Sequence, residues 1–592
     1  MAALLSPGSS LSTRQTPETP PRPGPPWRLH APIPEAELAP LVRGASLHPL
    51  VAGLLVRRGI ASPEAARRFL EPGLEQLHDP FLLKGMEDAV RVLAEALATG
   101  ARIVVSGDYD VDGITSSALL TDFLRRAGAA SPATFVPNRF DHGYGLTPRT
   151  VEALLALRPA LVVTVDNGIT AIGEVEKLRS AGVTTVVTDH HLPRAEGVPA
   201  GIVVNPLQPG CPYPYKRISG CGVTLKLVTA LRKRLREGGW WSAARPEPNL
   251  KDWLDLVAIG TVADVVPLTE ENRVLVRHGL QVLNRAQQRP GIAALLRLGR
   301  PERGDASVTA RTIGFQIGPR LNAAGRMKEG KLGVDLLLAE RPDEAHALAL
   351  QLDQANDERR STGEDMLREA LARIQADRLD HPAGIVVTAP GFHEGVIGIL
   401  AARLVDRYQR PVVVLAESSG ALKGSARSVP GVNVTEAIAS CAALLLEYGG
   451  HAGAGGLKLP ADRLPAFRAG FLADCARQLE TAEAPSVWLE SRLDPRRVSL
   501  ELAGQLGALE PFGQDNAEPT FLVHGSDLRE PTVRKDKHLI WNLGPDADMV
   551  GWNLARHAPQ ARQLRYRVRM GVNEFNGRRR AQLTVVGTAP EE

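Results

Sequence analysis

Three aspartates, Asp108, Asp110 and Asp112, stand at alternate positions in VVSGDYDVDG (104–113), where an apolar run gives way to a turn. Further along, Asp166 follows LVVTV, Asp189-His190-His191 follows TTVV and its threonine, and Asp264 follows LVAIGTVA. Acids this close repel one another, and each costs free energy to take out of water. A compensating positive charge is therefore implied. Carboxylate oxygen with some imidazole nitrogen suits Mn²⁺ or Mg²⁺. The four cysteines, Cys211, Cys221, Cys441 and Cys475, are scattered, with no paired spacing for structural zinc and no disulfide framework. Several carboxylates can hold two ions about 3.5–4 Å apart, an arrangement used for phosphoryl hydrolysis. Each cluster also has a plainer reading. An aspartate after a strand ordinarily caps a turn, DYDVDG looks like the opening of a calcium loop without its later glutamate, and strand-end histidines are often satisfied locally. The recurrence of such clusters at the ends of apolar runs favours the metal.

The elements that would position these groups are legible as an alternation. RIVVSG, TFVPN, LVVTVDNG and TTVVTDHH read as strands, with ITSSALLTDFLRRAG, TPRTVEALLAL and TAIGEVEKLRSAG as the helices between them. Apolar β-branched runs alternating with helices predict a parallel sheet covered on both faces. Open α/β sheets bind ligands outside the carboxyl ends of their strands, so acids far apart in sequence would converge on one crevice. Two short helices precede this unit, the second capped by Ser62 with Pro63 at its first position. Residues 343–380 read as one long helix able to link two domains, with Gly363 a weak point in its middle. After Pro382 a second α/β unit follows, containing GIVVTAP, VIGILAARLVDRY and PVVVLAE, the turn-rich GALKGSARSVPGVNV and the glycine cluster GGHAGAGG. From about residue 485 short alternating strands predict a small OB-type barrel.

Taken in order, DYDVDG, VDNG, TDHH and ADVVPL resemble the four motifs of the DHH phosphoesterase superfamily, and GGHAGAGG resembles the signature of its companion DHHA1 domain. With GPRLNAAGR (318–326) and the C-terminal barrel, the chain is similar over roughly residues 46–590 to the superfamily branch of single-strand-specific 5′→3′ DNA exonucleases. Composition predicts a disordered Pro-rich tail over 1–45. With the long helix over 343–380 as connector, the resemblance implies a DHH domain over 46–342, a DHHA1 domain over 381–465 and an OB-type nucleic-acid-binding domain over 466–592. It implies Asp110, Asp112, Asp166, His190 and Asp264 as ligands of two divalent ions, Mn²⁺ or Mg²⁺, with Asp166 bridging them. Asp108 would lie in or beside this shell, and His191 would face the scissile phosphate. One departure is visible: many superfamily members carry a histidine where this chain has Ser106.

The same resemblance places substrate-binding groups at Arg139, Arg320, Asn322, Arg326, Ser425, Arg427, Gly450 and His451. Guanidinium groups bind phosphate bidentately, and glycine-rich backbone forms anion nests. For any one arginine the plainer reading is a solvated charge, and for GGHAGAGG a tight turn. Net charge is only +4, so basicity must be local. Lys535, Lys537, Arg578, Arg579 and Arg580 lie near Trp541 and Phe575, a recipe for binding single strands, although Trp541 and Trp552 also read as barrel core.

Single-stranded DNA is thus the expected partner, with single-strand-binding protein and a helicase added by family analogy. Expected roles are recombination and repair. Relatives that cleave short RNA or cyclic dinucleotides generally lack so large an appended barrel. Relatives that serve only as scaffolds have lost their metal ligands, which this chain keeps. No apolar run is long enough to span a bilayer, and the cysteine usage reads as a reducing, cytoplasmic setting.

Overall fold

The computed structural model describes residues 25–138, 141–143, 145–299, 307–327, 330–418, 420–482, 486–575 and 577–591. The acids of interest sit on a five-stranded, all-parallel sheet. Its spatial order is Ala133–Phe135, Ile103–Ser106, Leu161–Val165, Thr184–Thr188, Ile202–Val204. Alternate residues face opposite ways along a strand. Val104, Val162, Val187 and Val203 accordingly enter one core with Val151, Leu154, Val175 and Leu178. Ile103, Val105, Val163, Val165 and Val186 enter the other, under the helices Met86–Thr99, Val111–Arg126 and Gly220–Glu237. The expected two-faced coverage is present, with one short strand, Ile202–Val204, added to the four expected.

The linking helix runs Pro342–Ala376, four residues shorter at its end than expected. Its first half joins the core of the first unit through Ala345, Ala349 and Leu352. Its second half joins the second unit through Met366, Ala370 and Ile374. Gly363 does not break it: the residue is buried, and a side chain there would meet Val396 at 3.6 Å.

The second unit holds a five-stranded sheet ordered Glu447–His451, Ala454–Leu459, Ala421–Arg427, Val412–Ser418, Ile385–Thr388. ALKGSAR, expected as turn, is a strand because it pairs on both sides, Ala426 with Val413 and with Gly455. GGHAGAGG likewise forms a hairpin of two strands rather than a tight turn alone. Helix Leu464–Thr481 buries Phe467, Phe471 and Cys475 in this unit's core, so the expected boundary at 465/466 falls inside the unit.

The C-terminal module is a six-stranded sheet in the order Phe521–His524, Leu564–Phe575, Arg578–Pro590, Ala547–Gly551, His538–Gly544, Thr532–Arg534. Trp541 is buried against Tyr566, whereas Trp552 is half exposed beside His538, contrary to the core reading. The expected tail to residue 45 is also revised. Trp27–Leu29 pairs in parallel with Val487–Leu489, and helix Glu35–Gly44 begins a helical group. Leu41, Val51, Leu54 and Leu55 of that group share a core with Phe521, Trp541 and Tyr566. The N-terminal helices therefore belong physically to the C-terminal module. The buried Arg273 joins both to the first unit by donating to the carbonyls of Phe69, Ala508 and Leu509 at 2.8–3.0 Å.

Candidate active site

The site lies where the carboxyl ends of the parallel strands meet two helices. Asp112 is in the first turn of helix Val111–Arg126 and is fully buried. Its Oδ2 accepts the N–H of Gly220 at 2.7 Å and its Oδ1 that of Cys221 at 2.9 Å. These are the first donors of helix Gly220–Glu237, whose positive end favours an anion. Asp166 follows its strand in the left-handed region, φ +61°, and is buried. Asp264 caps helix Leu254–Ala263.

These three carboxylates surround one imidazole nitrogen. His190 Nε2 lies 3.1 Å from Asp166 Oδ1, 3.6 Å from Asp264 Oδ2 and 3.9 Å from Asp112 Oδ2. Both Asp166 oxygens and His190 Nε2 are buried without a hydrogen bond. Buried polar atoms are otherwise almost always bonded. An imidazole nitrogen and carboxylates turned towards one another without a hydrogen bond form a donor set for a hard divalent cation, so the residues fit Mn²⁺ or Mg²⁺. Among the described residues two groups have metal-ligand spacing, Asp112–His190–Asp264 and Asp166–His190–His191.

The electrostatics agree. Burial and then neighbouring carboxylates push Asp112 up to about 7 and Asp264 to about 8. Burial, with Asp112 next in weight, raises Asp166 well above the usual carboxylate range; burial, with Asp110 next, does the same to Asp108. Burial and the adjacent His191 lower His190 to about 4, leaving it the neutral imidazole a metal requires.

The remaining sequence-derived residues divide. Asp110 is the N-cap of helix Val111–Arg126, accepting the N–H of Gly113 at 3.0 Å, and stands outside both ligand groups. Ser106 is buried, and its carbonyl accepts the Asn167 side-chain amide at 3.2 Å. Arg320 is engaged elsewhere: its Nε pairs with Asp353 of the linking helix at 2.7 Å and its Nη1 donates to Gln316. Asn322 is half-buried on the same helix, Gly318–Met327. Gly325 of that helix touches DYDVDG, since a side chain there would meet the Tyr109 carbonyl at 2.7 Å. Arg139 and the side chains of Arg326 and Phe575 lie outside the described residues.

In the second unit, Arg427 Nη1 donates to Ser425 Oγ at 3.1 Å and to the Ala426 carbonyl at 2.8 Å. Among the described residues no carboxylate pairs with this half-buried guanidinium, and burial lowers its pKa. Gly398, in the first turn of helix Ile397–Tyr408, leaves the room: a side chain there would meet Ser425 Oγ at 3.1 Å and Arg427 Nη2 at 3.2 Å. Gly450 and His451 lie on the exposed edge strand, with the His451 carbonyl accepting from Thr435.

Asp189, read from the sequence only as part of its cluster, supports the histidines, and two glycines not singled out from the sequence make room for the carboxylates. Asp189 accepts the backbone N–H groups of His190 and His191 through Oδ1 and that of Ile169 through Oδ2. Gly220 and Gly260 give way to the ligands. A side chain at Gly220 would meet Asp166 Oδ1 at 2.5 Å, and one at Gly260 would meet Asp112 Oδ1 at 2.6 Å. SGCG before a helix was the only local signal for the first; none marks the second.

The family model "DHH family, N-terminal domain" matches residues 102–261, "DHHA1 domain" residues 382–476 and "RecJ OB domain" residues 489–587. The single-stranded-DNA-specific exonuclease RecJ of Dickeya dadantii is 40% identical over 558 residues, spanning 91% of this chain and 96% of its own. The chain belongs to the RecJ family. A crystal structure of RecJ from Thermus thermophilus in complex with Mn²⁺ superposes with a TM-score of 0.78 at 32% identity, covering 96% of this chain and 80% of that one. The same protein in complex with Mg²⁺ gives 0.72 at 30% identity, covering 96% and 79%. The cofactor of this RecJ-family chain is thus a divalent metal of the Mn²⁺/Mg²⁺ kind, as its donor set requires. Cys211, Cys221, Cys441 and Cys475 are all free. Among the described residues no single helix is long and apolar enough to cross a membrane.

Proposed function

We propose that this chain hydrolyses the phosphodiester bonds of single-stranded DNA stepwise from the 5′ end. The observation that carries the reading is the ring of Asp112, Asp166 and Asp264 around His190 Nε2, within 3.9 Å, in a RecJ-family chain. Asp112, Asp166, His190 and Asp264 would hold the metal, with Asp110 and Asp108 beside them. Bound there, such ions activate water and neutralise charge on the phosphate.

The chain's own groups do the rest. Gly220 and Cys221 fix the Asp112 carboxylate through two N–H bonds, so the ligand does not reorganise during turnover. Asp189 holds His191 Nδ1 at 2.7 Å. Burial opposes the charged form of His191, but Asp189, Asp264 and Asp110 outweigh it and raise the group to about 9. Held by Asp189, His191 is placed to neutralise a phosphate oxygen or, in its protonated form, to give a proton to the leaving oxygen. Arg427 and Ser425, with the start of helix Ile397–Tyr408, form an anion seat for a 5′ phosphate, which would set the polarity. On the C-terminal module, Trp552, Lys535 and Lys537 are exposed and would carry the trailing strand; Arg580 instead donates to the Gly544 and Ala547 carbonyls.

Recombination and repair are the processes this activity serves, in the cytoplasm, with single-strand-binding protein and a helicase as partners by family analogy. Functionally we divide the chain into a DHH unit, a linking helix, a DHHA1 unit and a nucleic-acid-binding module that includes the N-terminal helices.

The deciding experiment uses a long single strand with a 5′ phosphate and a 3′ label, with Mn²⁺ or EDTA, and Asp166→Ala as control. Progressive 5′ shortening that needs metal and Asp166 is expected. Cleavage of dinucleotides alone would move the chain to the small-substrate branch, and strand binding without turnover would make it a scaffold.

A further inference from the structure

The metal centre is edged by apolar side chains that the chemistry above does not use. Leu192 directly follows His191 and is 65% exposed; Val265 directly follows Asp264 and is 65% exposed. The loops carrying them meet at the ligands, where His190 Nε2 and Asp264 Oδ2 are 3.6 Å apart. Val265 is also strained. Its φ is +61°, a left-handed conformation that a β-branched residue rarely adopts. Strain of this kind persists where the surroundings enforce it, commonly at functional sites. Glycine would suit the backbone here, so the valine side chain itself calls for an explanation.

A third exposed apolar residue lies on an element packed against the helix that ends at Asp264. Helix Leu254–Ala263, which ends at Asp264, meets the π-helical turn Ile313–Ile317; a side chain at Gly318 would touch Ala263 Cβ at 3.7 Å. Ile313 and Ile317 anchor that turn in the core, while Phe315 between them is 73% exposed. Arg311 lies over its ring, 5.1 Å from the centroid. π-turns of this kind often mark functional positions. An exposed aromatic under a guanidinium combines a stacking face with a cation for the phosphate chain.

We propose that Leu192, Val265 and Phe315 form an apolar lip on which the bases nearest the scissile phosphodiester rest, so that the enzyme positions the strand by base contact as well as by phosphate. This rests on the exonuclease reading. The occupant is a nucleobase because Leu192 and Val265 directly follow His191 and Asp264, where the strand end must come, and Phe315 lies on an element packed against the helix that ends at Asp264. Stacking of this type tolerates any sequence, as a nuclease that shortens a strand stepwise requires.

The test compares two 5′-phosphorylated single strands under Mn²⁺, one normal and one with abasic sites at its first three nucleotides. The unsubstituted full-length protein is expected to cleave the abasic strand with about tenfold lower kcat/KM. Leu192→Ser and Phe315→Ala, at exposed positions that leave the core intact, should each lower kcat/KM on the normal strand several-fold, chiefly through KM, and narrow that discrimination. Val265→Gly separates strain from function: it should keep or raise Tm, because glycine tolerates the backbone, and still narrow the discrimination. Full discrimination in all three variants would overturn the lip while leaving the exonuclease standing. So would sedimentation showing that the variants lose self-association with discrimination intact, which would make the lip a contact with a second copy. Absence of metal-dependent cleavage of either strand by the unsubstituted protein would remove the exonuclease reading and the lip with it.

Discussion

Asp189 Oδ1 lies 2.7 Å from His191 Nδ1 and accepts the backbone N–H of His191 at 3.0 Å as well. One buried carboxylate oxygen thus holds both the backbone and the ring of His191 and favours its charged form. His190 and His191 are neighbours in sequence and opposites in chemistry. Burial keeps the first neutral, at about 4, while the Asp189 contact helps hold the second charged, to about 9. Both backbone N–H groups reach Asp189 Oδ1, but of the two rings only that of His191 bonds to it.

Replacing Asp189 by Asn should therefore harm chemistry more than metal binding. Asparagine keeps the volume but loses the charge that supports the imidazolium. We expect kcat to fall about 10- to 100-fold, with the alkaline limb of the pH–rate profile moving to lower pH as the His191 pKa drops. Mn²⁺ affinity should change less than kcat. Steady-state kinetics at saturating Mn²⁺, with a Mn²⁺ titration alongside, checks this; an equal loss in both would mean that Asp189 acts only on the ligand loop.

The raised carboxylates make the metal-free fold sensitive to base. Asp112 and Asp264 titrate near 7 and 8 in the folded chain, well above an unfolded aspartate. Groups with raised folded pKa contribute stability that is complete below the unfolded value and is lost as pH rises through the folded one. His190 works at the other end: its pKa is lowered to about 4, so its contribution is lost as pH falls from about 6.5 through that value. EDTA-treated protein should thus lose Tm as pH rises from about 4 towards 8, with His190 opposing the fall only below about 6.5. Mn²⁺ should raise Tm more at pH 8.5 than at pH 6, since binding requires deprotonated ligands. Melting curves across that range decide it, and a metal increment that does not grow with pH would contradict the ligand assignment.

Arg427 predicts an end-group effect. Its guanidinium is desolvated, held by Ser425, and without a carboxylate partner among the described residues. Arg427→Ala should cost about 10- to 100-fold in kcat/KM on a 5′-phosphorylated strand, the scale of a charge-assisted pair, and little on a 5′-hydroxyl strand. Parallel assays of the two strands measure it, and equal losses would remove Arg427 from the phosphate seat. Arg320→Ala, by contrast, should loosen the Asp353 pair and leave end preference unchanged.

What the sequence disclosed and withheld follows from the range of the forces involved. The parallel strands were legible because buried β-branched runs carry their own signal, and the candidate ligands Asp166 and His190 stood out because each follows such a run. Ile202–Val204 is too short to announce itself. ALKGSAR looks like turn and becomes strand only because neighbours pair on both edges. The union of residues 35–70 with the C-terminal module depends on packing across more than 400 positions, as when His48 donates its backbone N–H to Gln505, and no local pattern encodes it. Arg320 reads as a phosphate clamp because sequence shows a guanidinium but not the Asp353 paired with its Nε.

Gly220 offers the sharpest test of how closely the site is built. It opens a helix whose first N–H groups hold Asp112, and its missing side chain is where Asp166 sits: a Cβ would come within 2.5 Å of Asp166 Oδ1 and 2.8 Å of its Cγ. Alanine is favourable within a helix, so Gly220→Ala should not unfold the chain for lack of helix propensity. It should instead drive Asp166 off its strained left-handed position, and the three-carboxylate ring around His190 would open. We expect Mn²⁺ affinity to weaken by tenfold or more, a loss of the size produced by disturbing the support of a metal ligand, while Tm in EDTA changes little or rises as the carboxylates separate. Calorimetric titration with Mn²⁺ and a melt in EDTA give the two numbers. Undiminished affinity would show that Asp166 finds another route to the metal, and a collapse of Tm in EDTA would show that Gly220 is needed for packing rather than for the ligand.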